Sequence, residues 1–204
     1  YGNHRDLHSF PTRRSSDLYS INGNPRVSCA RPIKYDIDSN EQEESLHYFL
    51  RNLFRKKKFR DRQIEIIRLA LNMQSVIALL PTGAGKSLTY QLSTLLQPGI
   101  SIVIDPLKSL MRDQVKSLRN LGIDSSTYIN SSLTAIEKET RSIDMTQGCY
   151  QFVFVSPERL QIPGFRSFLK DMNENTCFVY CVVDEAHCVR SEERRVGKEC
   201  RSWW

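Results

Sequence analysis

The sequence predicts an α/β fold, a parallel sheet with helices on both faces, and three observations predict it. Short runs rich in Val, Ile and Phe alternate with amphipathic stretches from Val76 to Val183, the pattern of strands buried on both faces. A glycine-rich turn, Thr82-Gly83-Ala84-Gly85-Lys86-Ser87, joins an apolar run to an amphipathic one. The last apolar run ends in Asp184-Glu185, at the carboxyl edge where such sheets bind ligands.

The two ends stand apart from this pattern. Arg190–Cys200 and His8–Leu18 can be encoded by complementary strands of a single DNA segment, which unrelated protein segments have no reason to share. Both resemble translated sequencing-adapter DNA and are excluded from the fold. The expected organisation is therefore a disordered scar over 1–18, an extended lead-in over 19–38, an incomplete domain over 39–189 and a second scar over 190–204.

Within the domain, Glu41, Glu43 and Glu44 precede Leu46, Phe49, Leu50, Leu53 and Phe54 at helical spacing, which predicts a helix from Ser39. It ends in Arg55-Lys56-Lys57-Lys58, cations suited either to a helix C-terminus or to a polyanion. A second helix carries Ile64, Ile67 and Leu71. Five strands are expected at Val76–Leu80, Ile100–Ile104, Ser126–Ile129, Phe152–Val155 and Phe178–Val183. Helices at Lys86–Leu96, Leu107–Leu121, Thr134–Met145 and Phe165–Met172 separate them.

Of the net charge of +6, residues 1–18 contribute +1 and residues 190–204 contribute +2, leaving +3 for 19–189. That is a mildly basic balance, weak support for a nucleic-acid partner. Six cysteines without C-x-x-C spacing read as reduced thiols of a cytoplasmic or nuclear protein rather than a disulfide framework or metal site. No apolar run reaches the length of a membrane span.

The chemistry is carried by two motifs. A strand, a glycine-rich turn and a helix start surround an anion with backbone N–H groups. Gly83 and Gly85 permit close approach, the Lys86 ammonium reaches β- and γ-phosphates, and the Ser87 hydroxyl can ligate Mg²⁺. Thr82 and Ala84 complete the cradle, and Leu80 stands where the strict pattern has glycine. Asp184 can hold Mg²⁺ opposite Ser87, while Glu185 can orient or deprotonate the attacking water.

These motifs together resemble the first RecA-like domain of a superfamily 2 helicase, a P-loop NTPase fold, and within it the RecQ family of ATP-dependent DNA helicases. Phe59-Arg60-Asp61-Arg62-Gln63 is similar to the family's adenine-reading motif, which implies that Arg60 and Gln63 contact the base. Asp105-Pro106-Leu107-Lys108-Ser109-Leu110-Met111-Arg112-Asp113-Gln114-Val115 and Ser156-Pro157-Glu158-Arg159-Leu160 resemble DNA-contacting motifs, which implies roles for Pro106, Lys108, Ser109 and Arg159. Asp184-Glu185-Ala186-His187-Cys188 resembles the helicase box, with Lys86, Asp184, Glu185 and His187 as its catalytic residues. An amide such as Gln63 can donate to and accept from adenine at once. Lys56 stands where the family often has an aromatic stacker, and Ala84 where glycine is common.

The resemblance implies a 3′→5′ DNA helicase, using ATP and Mg²⁺, in recombination and repair. It also implies a fragment: the family continues into an aromatic loop and a second RecA-like domain with an arginine finger. These 204 residues are expected to hydrolyse ATP barely or not at all, since that finger supplies orders of magnitude in rate. The alternatives are an RNA helicase of the same superfamily and a non-catalytic nucleic-acid-binding fragment.

Overall fold

The computed structural model describes residues 31–37, 39–81 and 83–186, so Thr82, His187, Cys188, the start of the lead-in and both adapter-like ends lie outside the described residues. The described chain forms two compact units, residues 32–98 and 99–186.

In the first unit the end of the lead-in is tied down. The Tyr35 N–H donates to the Leu71 carbonyl at 2.9 Å and the Tyr35 hydroxyl to that of Leu96 at 3.0 Å. The Gln97 amide accepts from the Ile33 N–H at 2.8 Å and donates back to the Ile33 carbonyl at 2.6 Å. Helix α1 (Asn40–Asn52) opens with a capping box, in which Ser39 Oγ accepts the Gln42 N–H and Gln42 Oε1 accepts the Ser39 N–H, satisfying two of the end's orphan donors. Its buried face is Leu46 and Leu50. Helix α2 (Gln63–Leu71) turns Ile67 and Leu71 inward and packs on α3 (Lys86–Leu95), whose Leu88 and Leu92 are buried.

The expected strand Val76–Leu80 is not formed. No strand pairs with it among the described residues, and Ile77 and Leu79 are 86% and 90% exposed. An apolar run becomes a strand only when a neighbour's N–H and C=O groups complete the ladder, and none is supplied to this one.

The second unit is a four-stranded parallel sheet in the order β2-β3-β1-β4, from β1 (Ile100–Ile104), β2 (Ser126–Ile129), β3 (Phe152–Val155) and β4 (Phe178–Val183). Helices α4 (Lys108–Asn120), α5 (Ala135–Thr146), α6 (Pro157–Leu160) and α7 (Pro163–Asn175) alternate with them. Ile100, Ile102, Ile104, Val153, Val155 and Ile129 form one core with Met145 of α5, Leu160 of α6 and Phe165, Leu169 and Met172 of α7. Val103, Phe152 and Phe154 are also buried, and α4 packs against β2.

The register sets Ile104 beside both Val155 and Val183, and Val155 beside Ile129. Residues 105, 130, 156 and 184 therefore leave the sheet along one carboxyl edge. No described helix is long and apolar enough to cross a membrane.

Candidate nucleotide and nucleic-acid site

The glycine-rich turn lies in the first unit. Gly83 and Gly85 take φ of 78° and 77°, the left-handed region that side chains disfavour. Ala84 is not among the positive-φ residues, so alanine fits there without strain. Gly85 is the N-cap of α3 and has no side-chain cap bond, so the helix opens with N–H groups that no capping side chain satisfies. Lys86 and Ser87 follow as its first two residues, both half-buried. Thr89 Oγ1 donates to the Lys86 carbonyl at 2.7 Å.

The segment expected to read adenine closes on this turn. Arg60 and Gln63 precede α2 and begin it, with the Arg60 N–H donating to Gln63 Oε1 at 2.8 Å and the Gln63 N–H to the Arg60 carbonyl at 3.1 Å. Gln63 is only 2% exposed. Its Nε2 donates to the carbonyls of Ala84 at 2.8 Å and Gly85 at 3.0 Å. The Arg60 guanidinium donates to the Gly83 carbonyl.

The carboxylates lie in the second unit. The Asp184 N–H donates to the Ile104 carbonyl at 2.9 Å, extending the β1–β4 ladder by one bond. The Glu185 N–H donates to Asp184 Oδ1 at 2.9 Å, and Glu185 takes a φ of 46°. At the end of β1, Asp105 is buried, its N–H donates to the Val155 carbonyl and its Oδ1 accepts the Leu107 N–H at 2.8 Å. Burial pushes its carboxyl up to about 6; the Leu107 N–H opposes the rise, and Asp184 and Glu185 add to it. Asp105 is thus a third carboxylate in the field of the Asp184-Glu185 pair, which the spacing alone marks only as a strand stop.

The expected nucleic-acid contacts divide. Pro106, Lys108 and Ser109 sit at the turn into α4, with Lys108 and Ser109 exposed as its first two residues, a position that offers a cation, a hydroxyl and N–H groups to a phosphate. Arg159 lies over the Phe165 ring, 4.9 Å from its centroid, and burial lowers its pKa.

Residues 60–201 match the family model of the DEAD/DEAH box helicases. The chain is 38% identical over 153 residues to an ATP-dependent DNA helicase Q-like 5 of Arabidopsis thaliana, covering 75% of this chain and 16% of that protein. It is 36% identical over 140 residues to an ATP-dependent DNA helicase RecQ of Haemophilus influenzae, covering 69% and 22%. A solved structure described as a hypothetical ATP-dependent RNA helicase from Sulfolobus tokodaii shares the fold, with a TM-score of 0.50 and 21% identity over 79% of this chain and 54% of that one. The chain thus spans only a small part of its curated relatives' length. With a parallel α/β sheet, a glycine-capped phosphate turn and a strand-end Asp-Glu pair already in place, the match assigns the family: the chain belongs to the DEAD/DEAH box helicases, as a superfamily 2 helicase domain related to RecQ proteins.

Proposed function

We propose that this chain is the nucleotide-binding part of a RecQ-type, ATP-dependent 3′→5′ DNA helicase. The observation that carries the reading is the turn before α3, where Gly83 and Gly85 hold left-handed conformations and deliver Lys86 and Ser87 to the helix start. Such a turn presents N–H groups, a cation and a hydroxyl to a polyphosphate. Ser87 and Asp184 are each a hard oxygen donor of the kind Mg²⁺ prefers, and that cation keeps most of its waters, needing one or two protein oxygens. Bound Mg·ATP supplies the phosphoryl group whose transfer to water releases the energy for movement.

In this reading Lys86 screens the phosphate charge, Asp184 orients the cation's water shell and Glu185 positions the attacking water. His187 links that site to a partner domain. Lys108 and Ser109 hold a phosphate of the strand along which the motor moves, with Pro106 shaping the turn and Arg159 a further contact to the strand. DNA rather than RNA is proposed as the substrate, because the Pro-Leu-x-Ser-Leu-Met string at 106–111 resembles the DNA-directed family. The proposed setting is recombination and repair, in cytoplasm or nucleus.

The direct test is equilibrium binding of a fluorescent Mg·ATP analogue. Wild type should bind and Lys86→Ala should lose at least tenfold in affinity, the scale of a charge-assisted phosphate contact. Equal affinity of the two would refute the site. Comparing duplex DNA with duplex RNA unwinding by the full-length gene product decides the substrate, and preference for RNA would refute that part.

A further inference from the structure

We infer that Asp105 is a third carboxylate that strengthens cation binding at the Asp184-Glu185 edge, acting through its charge rather than as a ligand; the inference rests on the nucleotide-site reading above. The register places it there. Ile104 stands beside Val183 in the β1–β4 ladder and the Asp184 N–H donates to the Ile104 carbonyl at 2.9 Å, so Asp105 and Asp184 are the next opposed pair. Opposed residues of neighbouring strands send their side chains to the same face. The electrostatics agree: after burial, it is Asp184 and Glu185 that raise the Asp105 carboxyl.

The two oxygens of Asp105 have different surroundings. Oδ1 accepts the Leu107 N–H at 2.8 Å, at the turn into α4. That bond needs an acceptor but no charge, and an asparagine carbonyl would serve it. Oδ2 is buried without a hydrogen-bond partner, and no ion pair among the described residues reaches Asp105. A desolvated carboxylate with nothing opposite it is costly, and two like charges nearby add to the cost. The same three charges that repel one another attract a divalent cation together. No group of three His, Cys, Asp or Glu side chains among the described residues is arranged to chelate a metal, and a hydrated Mg²⁺ needs only one or two protein oxygens. Asp105 therefore acts at a distance: a charge held out of water is screened far less than one at the surface.

This role has a signature that a structural one lacks. A negative charge at 105 favours the cation and disfavours a bare polyphosphate, so removing it has opposite consequences with and without Mg²⁺. Loss of the turn into α4 would weaken binding alike in both conditions. The experiment measures the affinity of a fluorescent ATP analogue in MgCl₂ and in EDTA, at equal ionic strength, for the wild-type chain, Asp105→Asn and Asp105→Ala. Asn keeps the acceptor for the Leu107 N–H, and Ala removes acceptor and charge together. The gain in affinity on going from EDTA to MgCl₂ should fall about tenfold in both variants, the lower end of what residues just outside a metal's ligands contribute. Affinity in EDTA should be no weaker in Asn than in wild type.

Urea unfolding in the presence of the analogue supplies a second readout, independent of turnover. The urea midpoint of wild type should rise on replacing NaCl by MgCl₂ at equal ionic strength, and that of Asn should rise less. An equal Mg²⁺ gain in wild type and Asn, a loss confined to Ala, a loss in Asn as large in EDTA as in MgCl₂, or equal midpoint shifts would each overturn the inference. Wild type that binds the analogue equally in MgCl₂ and EDTA also overturns it. Wild type that binds the analogue in neither buffer fails the nucleotide-site reading itself, and the inference with it.

Discussion

Replacing Asp105 by Asn should stabilise the sheet unit at neutral pH and leave it unchanged in acid. The Asp105 carboxyl is fully buried, Oδ1 is held by the Leu107 N–H, and Oδ2 has no hydrogen-bond partner. Burial is the main reason its pKa rises from 3.8 to about 6, with the neighbouring Asp184 and Glu185 adding to it against the Leu107 N–H. With the folded-state value above the unfolded one, the native state holds more protons between 3.8 and about 6. Stability therefore falls as pH rises through that window, and the penalty is complete above it. At about 1.4 kcal/mol per pKa unit the shift corresponds to at most roughly 3 kcal/mol. Asn retains the acceptor for Leu107 and brings no charge, so it mimics the protonated acid. Urea unfolding followed by circular dichroism should give equal stabilities at pH ~3 and a gap of about 2–3 kcal/mol in favour of Asn at pH ~7.5. A gap that does not change with pH, or a wild type more stable at neutral pH, would sink the argument.

Three further outcomes follow from particular geometries. Gly85→Ala meets both a φ of 77° and the Gln63 amide, whereas Gly83→Ala at a φ of 78° meets nothing within 4 Å; the first should cost clearly more than the roughly 1–2 kcal/mol of left-handed strain expected for the second, read by thermal melting and Mg·ATP affinity. Thr134→Ala removes the cap of α5, where Thr134 Oγ1 accepts the Glu137 N–H and Glu137 accepts the Thr134 N–H; the cost should be about 1 kcal/mol, a fall of about 2–4 °C in melting temperature, and no change would show the box to be idle. Ile77→Thr and Leu79→Ser should each shift stability by no more than about 0.5 kcal/mol because both side chains are exposed. A loss of about 2 kcal/mol or more, the cost of emptying a core position, would mean that Val76–Leu80 is buried as a strand after all.

What the sequence discloses depends on whether the deciding interaction is local. Ile100–Ile104, Ser126–Ile129, Phe152–Val155 and Phe178–Val183 are strands with the boundaries their composition predicts, because a strand inside a covered sheet must be apolar on both faces and is bounded by turn residues. Val76–Leu80 has the same composition and is unpaired among the described residues, since composition reports the wish to be buried and says nothing of a neighbour able to complete the ladder. Helix α6 is too short for any periodicity, although Ser156-Pro157 places a residue that caps helices before a proline at the first helical position. Ile33, Tyr35 and Ile37 alternate as an edge would, yet the bonds that dock Ile33 and Tyr35 run to the end of α2 and to residues just past α3.

The same distinction separates the parts of the site. The turn at Gly83 and Gly85, the start of α3 at Lys86 and the strand-end position of Asp184 are legible because such backbone positions favour those residue types. Gln63 and Asp105 are legible as residues, but their burial and hydrogen-bond partners are not. The Gln63 amide donates to the carbonyls of Ala84 and Gly85, a pairing set by where α2 places it against the turn before α3 and not visible in the motif. A strand-end Asp can be a solvated stop; here burial is the main cause that raises the Asp105 pKa, and Asp184 and Glu185 add to it. Both cases are tertiary decisions about side chains whose identities permit several outcomes. The substitution with most to say is therefore Asp105→Asn, which holds the shape and removes the charge.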